Sequence, residues 1–325
     1  MILRERYEQD LRHIEYRHGR VLFATLLIGL AALPFVAPGY IIYNMTLFFI
    51  FALVAVALMV LVGLTGQVSL GHAGFLAAGA YTTAMLVSLG WPFLLALVIA
   101  MLISALLGLV IGLPALRLEG PYLAIATLGF GLAIQQVLNN WRFVGASSGT
   151  LADRPELFSI NFYQDRPFYF FVLIITVAAI WMMFNLKRSH VGRAFQAVRD
   201  AELAAQMSGV NLAYAKTLAF VISAAVTGLA GGLYGALLGY ITPESFNLLL
   251  SVKFLLMIVV GGLGFLPGAI LGAGFVTFLE VWLSAQANRS QLIFGSVVIL
   301  LMLLEPTGLY GRWRKIRRYW MTWPM

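Results

Sequence analysis

Glutamine, serine and histidine fall within six residues of one another in Gly66-Gln67-Val68-Ser69-Leu70-Gly71-His72-Ala73-Gly74-Phe75, inside an otherwise apolar stretch. Buried polar groups need partners, so Gln67, Ser69 and His72 either hydrogen-bond across helices and to freed backbone or face a wet path. A metal site would need a second His, a Cys or an acid at ligand spacing, and none stands there. Glu280, 12 residues into the apolar run that opens at Gly268, is the most intrusive acid. It stands alone, whereas an ion-coupled carrier needs a relay of acids with basic partners, so an interhelical pair or a place near the interface is its expected role. There is no G-x-x-x-x-G-K-S/T loop and no cysteine, so the chain has neither a P-loop for nucleotide hydrolysis nor a thiolate nucleophile. It needs no cofactor of its own, and any energy input must come from a partner or a gradient.

The segment 187–213 is the other chemically informative piece. Asp200 can cap a helix, Glu202 sits where the macrodipole favours an anion, and Gly209 can supply a left-handed terminus, which predicts a helix of about two and a half turns. Leu203, Met207 and Val210 form an apolar ridge beside Ala204 and Ala205, while Arg193 and Arg199 stay polar. A short ridge with many alanines suits a groove on a cytoplasmic partner better than a lipid surface.

The elements that must position these residues are membrane helices. Of the 325 residues 61% are hydrophobic and 10% charged, and the mean hydropathy is +0.92, which excludes a water-soluble monomer. From Val21 to Leu116 no Lys, Arg, Asp or Glu occurs, room for four crossings broken at Pro38-Gly39, Thr65-Gly66 and Gly90-Trp91-Pro92. Spans are expected at 21–37, 40–64, 67–89, 92–114, 121–139, 168–186, 214–240, 251–265, 268–287 and 291–305, with 67–79 as a candidate broken or re-entrant segment. The chain thus divides into a tail at 1–20, six spans over 21–186 with a polar loop at 141–166, a loop at 187–213, four spans over 214–305 and a basic tail at 306–325.

Five basic residues lie in 1–20, five in 187–216 and five in 312–318, out of 21 in the chain. This positive-inside pattern puts both termini and the 187–213 loop in the cytoplasm, which agrees with six crossings followed by four. The basic residues form no stripe interleaved with stacking aromatics, so nucleic acid is not an expected partner. Between Ala224 and Gly239 small residues recur every four positions as Ala224, Gly228, Gly232 and Ala236 and as Gly231, Gly235 and Gly239. Such stripes serve close helix packing, and part of one can also line a conduit. The candidate path comprises Gln67, Ser69, His72, Gly74, Tyr122, Thr127, Gly228 and Gly232.

The Gly66–Phe75 motif, together with Gly112-Leu-Pro-Ala-Leu-Arg-Leu-Glu-Gly-Pro-Tyr-Leu-Ala-Ile-Ala-Thr-Leu-Gly-Phe130, closely resembles the permeases of branched-chain amino-acid ABC importers, the LivM type. The resemblance extends through Gly192-Arg193-Ala194, Asp200 to Asn211, Ala219 to Tyr234 and Gly261-Gly262-Leu263-Gly264, and covers about 60–315. It implies that the Ala204–Gly209 segment couples to a cytoplasmic ATPase, and that the chain pairs with a second, related permease, two ATPases and an extracytoplasmic solute-binding protein in a bacterial inner membrane. One departure lies after Asn139-Asn140-Trp141, where Gly145-Ala146-Ser147-Ser148-Gly149-Thr150 replaces the family's Thr-Gly-Gly type of turn.

The expected fold is therefore an all-α integral membrane protein of about ten transmembrane helices, nine to eleven. The expected function is that of a permease subunit for branched-chain or other small amino acids, not an enzyme, with ATP bound by partner subunits. A related importer of urea or short amides is the near alternative. A gradient-driven secondary transporter or channel is the alternative from a different class.

Overall fold

A helix that is apolar on every side has no preferred outer face and goes to the centre of its protein. In this chain that helix is α2 (Gly39–Leu58), continued by a π-helical turn at Met59–Leu64, and each residue from Phe49 to Thr65 is buried. The computed structural model describes residues 17–118, 120–152, 154, 156–157, 160–161, 164–283, 290–305 and 307–322. The first 16 residues of the N-terminal tail, Glu119, Asp153, Pro155, the 284–289 connection before the last expected span, Pro306 and the end of the tail from Trp323 lie outside the described residues.

Before α2 comes α1 (Arg17–Val36), and after it come α3 (His72–Ser88), α4 (Phe93–Ala115), α5 (Pro121–Asn140) and α6 (Asp165–Arg188), of which α6 packs directly on α2. The chain continues through α7 (His190–Asp200), α8 (Glu202–Met207), α9 (Leu212–Leu238), α10 (Leu248–Gly261), α11 (Leu266–Leu283), α12 (Ser290–Leu304) and α13 (Gly308–Thr322). The only strands among the described residues are two-residue pieces. Antiparallel β1 (Thr150–Leu151) pairs β4 (Tyr240–Ile241), and β2 (Glu156–Leu157) pairs β3 (Ile160–Asn161). Eight segments of the described residues are long and apolar enough to cross a membrane. This is an all-α, multi-pass membrane protein.

Helix α9 is the second organiser. One small-residue stripe faces α4, where Ala224 meets Gly108 and Gly228 meets Ser104, and Gly232 lies against Leu97 and Thr83. The other faces α3, where a Cβ on Gly231 would overlap the Leu76 carbonyl. Both stripes are thus used in close packing, and Gly239 (φ 76°) ends the helix in the left-handed region. At this end the Arg154 guanidinium bonds the Ala236 and Leu237 carbonyls and pairs with Asp165 at 2.7 Å, which satisfies orphan carbonyls of α9.

Several boundaries differ from the sequence expectation. The third span starts at His72 rather than 67, because Gly66 to Gly71 is unwound and Gly66 takes φ 75°. The lost turn leaves α3 with 17 residues, too short to be counted among the eight segments, and α1 contributes only Thr25–Val36 as an apolar piece. Asp165 opens α6 inside the segment read as loop, and Leu248 begins α10, whose first turn is capped by the Asn247 side chain accepting from the Leu250 amide at 3.1 Å. The C-terminal segment read as a tail contains helix α13.

Candidate functional site

The unwound stretch between α2 and α3 is held by a chain of hydrogen bonds among buried groups. Ser223 Oγ on α9 donates to the Ala57 carbonyl on α2 at 2.8 Å, and lies 2.8 Å from His72 Nε2. A hydroxyl has one hydrogen, so Nε2 must carry the proton here and Nδ1 accepts from Ser69 Oγ at 3.0 Å. The histidine is therefore a neutral joint between three segments. The Leu70 amide bonds Thr127 Oγ1 on α5 and the Ala73 amide bonds Ser251 Oγ on α10, both at 3.0 Å. Gly71 is required because a Cβ would overlap the Thr127 carbonyl, and Gly74 because one would stand 3.2 Å from Gly131 Cα and from the Phe130 ring.

Ser69, His72, Gly74 and Thr127 are thus brought together at one crossing of α3 and α5. Gln67 lies in the same stretch at 6% exposure, and its side-chain amide has no hydrogen-bond partner among the described residues. Gly228 and Gly232 sit farther along, packed between α9 and α4, while Tyr122 is exposed in the first turn of α5. Beside the crossing a narrow cleft, about 200 Å³ with the open solvent at its mouth included, is lined by Leu70, Ala73, Gly131, Gln135, Asn247 and Ser251. Sequence reasoning missed Ser223 and Ser251; each is a polar residue inside an apolar run, and that is the signal they offered. Replacing Ser223 with Ala leaves the His72 Nε2–H and the Ala57 carbonyl without this partner, so a loss of about 1–3 kcal/mol is expected, read as a lower melting temperature in detergent. An unchanged melting temperature would show that the crossing does not depend on this bond.

The second cluster lies at the end of the bundle where α2 unwinds. Ser189 caps α7, accepting from the Gly192 amide at 3.3 Å, and Gly192 has no Cβ to strike the Leu186 and Lys187 carbonyls. Arg193 is exposed and bonds the Arg188 carbonyl at 3.0 Å. The expected helix over 200–209 becomes two elements. Asp200 closes α7 and pairs with Arg199 at 2.8 Å instead of capping α8, whose N-cap is Ala201. Helix α8 is only six residues long. Its end is as expected: Gly209 (φ 84°) donates to the Gln206 carbonyl at 3.0 Å and Val210 to the Ala205 carbonyl at 3.0 Å, a Schellman arrangement.

Ala205 is buried under α8 and Ala204 is exposed, while Leu203 and Met207 project outward at 78% and 91% exposure. Beneath them Glu202 pairs with Lys216 of α9 at 2.7 Å, and that lysine side chain is only 7% exposed. Arg199 reaches the other way. Its Nη1 donates to the Gly63 carbonyl in the π-turn at 2.8 Å and its Cγ lies against Gly66, while Lys187 Nζ donates to the Gly264 carbonyl at 3.1 Å in the turn between α10 and α11. The α7–α8 segment is thus bonded both to α9 and to the π-turn that precedes the unwound stretch. Glu280, which stood alone in the sequence, pairs with Lys253 of α10, whose ammonium lies 4.5 Å from the Phe51 ring centroid. No group of three or more His, Cys, Asp and Glu suited to a metal occurs among the described residues.

Residues 40–304 match the family described as branched-chain amino acid transport system / permease component. The high-affinity branched-chain amino acid transport system permease protein LivM of Salmonella typhimurium is 33% identical over 316 residues, covering 89% of this chain and 74% of that protein. LivM of Escherichia coli K12 matches over the same lengths at 33% identity, and LivH of the same strain is 27% identical over 283 residues, 81% of this chain and 91% of that protein. No solved structure matches the chain significantly. The match spans both clusters, the unwound crossing and the α7–α8 segment, and the chain belongs to the family of branched-chain amino acid transport permeases.

Proposed function

We propose that this chain is a membrane subunit of an ATP-driven importer for branched-chain or other small amino acids, with about ten spans, both termini in the cytoplasm and a place in a bacterial inner membrane. Its partners in this reading are a second related permease, two cytoplasmic ATPases that bind the nucleotide, and an extracytoplasmic solute-binding protein. The observation that carries the proposal is the exposed Leu203–Met207 pair on α8, which Glu202–Lys216 ties to α9 and which follows directly on α7, whose Arg199 bonds Gly63 in the π-turn before the unwound stretch. An ATPase docked on that pair would pull on α2 and α9 together, and through Leu70–Thr127 and Ala73–Ser251 the motion reaches α5 and α10 at the cleft. In this reading the cleft and the unpartnered Gln67 amide line the path of a small solute, and Glu280 with Lys253 is a single interhelical pair rather than the relay of acids that ion coupling needs.

The test is uptake into proteoliposomes carrying this chain, the partner permease, both ATPases and the binding protein. Labelled leucine is expected to enter only with ATP, and omission of this chain is expected to abolish entry. Leucine uptake that survives without ATP and collapses with an ionophore would overturn the importer reading. ATP-driven entry of urea but not of leucine would keep the mechanism and move the substrate to short amides.

A further inference from the structure

Helix α13 carries a feature that the permease reading does not use. It contains no acid, and the sequence puts Arg312, Arg314, Lys315, Arg317 and Arg318 within seven residues of it. One side faces the bundle: Gly308 and Gly311 are buried, Gly308 against Gly262, the Tyr310 ring lies tilted against Phe265 at 5.3 Å between centroids, and Arg314 lies 4.9 Å over the same Phe265 ring. The α10–α11 turn that α13 touches is the one held by Lys187, so α13 lies at the same end as α7 and α8.

At 100° per residue, Leu309, Trp313 and Ile316 recur as i, i+4 and i+7 on the side opposite Gly311. Trp313 is 58% and Ile316 45% exposed. Arg312 borders this stripe on one side, with Lys315 farther round, and Arg317 borders it on the other, all exposed, and Arg312 also pairs with Glu305 at 2.9 Å. An apolar stripe with an exposed tryptophan, bordered on both sides by cations, matches the acyl boundary and the phosphates of a bilayer surface. A soluble partner's groove would need acids to match it, whereas anionic phospholipid presents phosphate along the whole flank.

We infer that α13 is an in-plane anchor that binds the anionic phospholipid surface of the leaflet on the α7–α8 side. The inference rests on the proposed topology for calling that leaflet cytoplasmic. The chain has no cysteine, so Ile316→Cys, labelled in the purified chain before it joins the full reconstituted complex, gives a single site for a nitroxide label.

In vesicles of phosphatidylcholine mixed with phosphatidylglycerol the label is expected to be reached by oxygen and shielded from a water-soluble nickel chelate, and less shielded in phosphatidylcholine alone. Lys315→Gln with Arg317→Gln is expected to lower the ratio of membrane-engaged to water-exposed label about fivefold per charge removed. Lys315→Arg with Arg317→Lys is expected to restore it. Shielding that ignores lipid charge, or that appears only when the ATPases are bound, would overturn the anchor and assign the helix to a protein interface, with the importer reading intact. A label reached only from the extracytoplasmic side would overturn the proposed topology and the leaflet together.

Discussion

A chain carrying Leu203→Asp and Met207→Asp is expected to insert and melt like the parent while losing nearly all ATP-driven uptake. Both side chains project from α8 into solvent, so within the chain they have almost no packing to lose. At an interface the opposite holds. Apolar anchors buried in a partner's groove are worth about 2 kcal/mol each when removed, roughly a 30-fold loss of affinity per site, and a carboxylate adds its desolvation. The two positions are one turn apart on the same face, so their effects overlap and the double loss falls short of the product of the two. The measurement is capture of the ATPases by the reconstituted permease pair, read beside uptake and beside the melting temperature of the permease alone. Parent-like capture with parent-like uptake would show that α8 is not the docking element. Parent-like capture with lost uptake would show that it docks elsewhere and acts through the tie to Gly63.

Much of this arrangement is written in local sequence. The Gly66–Gly74 break is legible because three glycines and three polar side chains in nine residues cannot continue an apolar helix, and the left-handed end at Gly209 because only glycine takes that conformation without strain. The start of α8 was not legible. Asp200 has the right chemistry for a cap, but α7 runs up to it and Arg199 takes its carboxylate, a contact that exists only because Arg199 is also drawn to the Gly63 carbonyl. The basic C-terminal run reads as a tail by charge count, and becomes a helix because Gly308 and Gly311 let its backbone approach the α10–α11 turn. The cleft could not be read at all, since Leu70, Gln135 and Asn247 come from separate segments and meet only when α3, α5 and α10 cross.

Gly231→Ala and Gly79→Ala are each expected to lower the melting temperature sharply, although each adds one methyl group. A Cβ on Gly231 would overlap the Leu76 carbonyl and stand 3.0 Å from the Ala80 amide nitrogen, and one on Gly79 would overlap the carbonyl and Cα of Gly228. These neighbours are backbone, which cannot swing aside as a side chain does, so α3 and α9 must separate along their length. Overpacking of this kind costs about 1–3 kcal/mol, and the rigid obstacle places both variants at the upper end. Gly129→Ala is the control, because no atom stands within 4 Å of its Cβ position and alanine is favoured over glycine in a helix by about 1 kcal/mol. A parent-like melting temperature for Gly231→Ala would show that the α3–α9 contact is loose. The double variant carries the further information. Gly79 and Gly231 lie in one interface, so the separation forced by the first Cβ makes room for the second, and the combined loss is expected to fall below the sum. An additive loss would mean that the two contacts yield independently, and that α3 and α9 bend rather than move as rigid bodies when α8 is pulled.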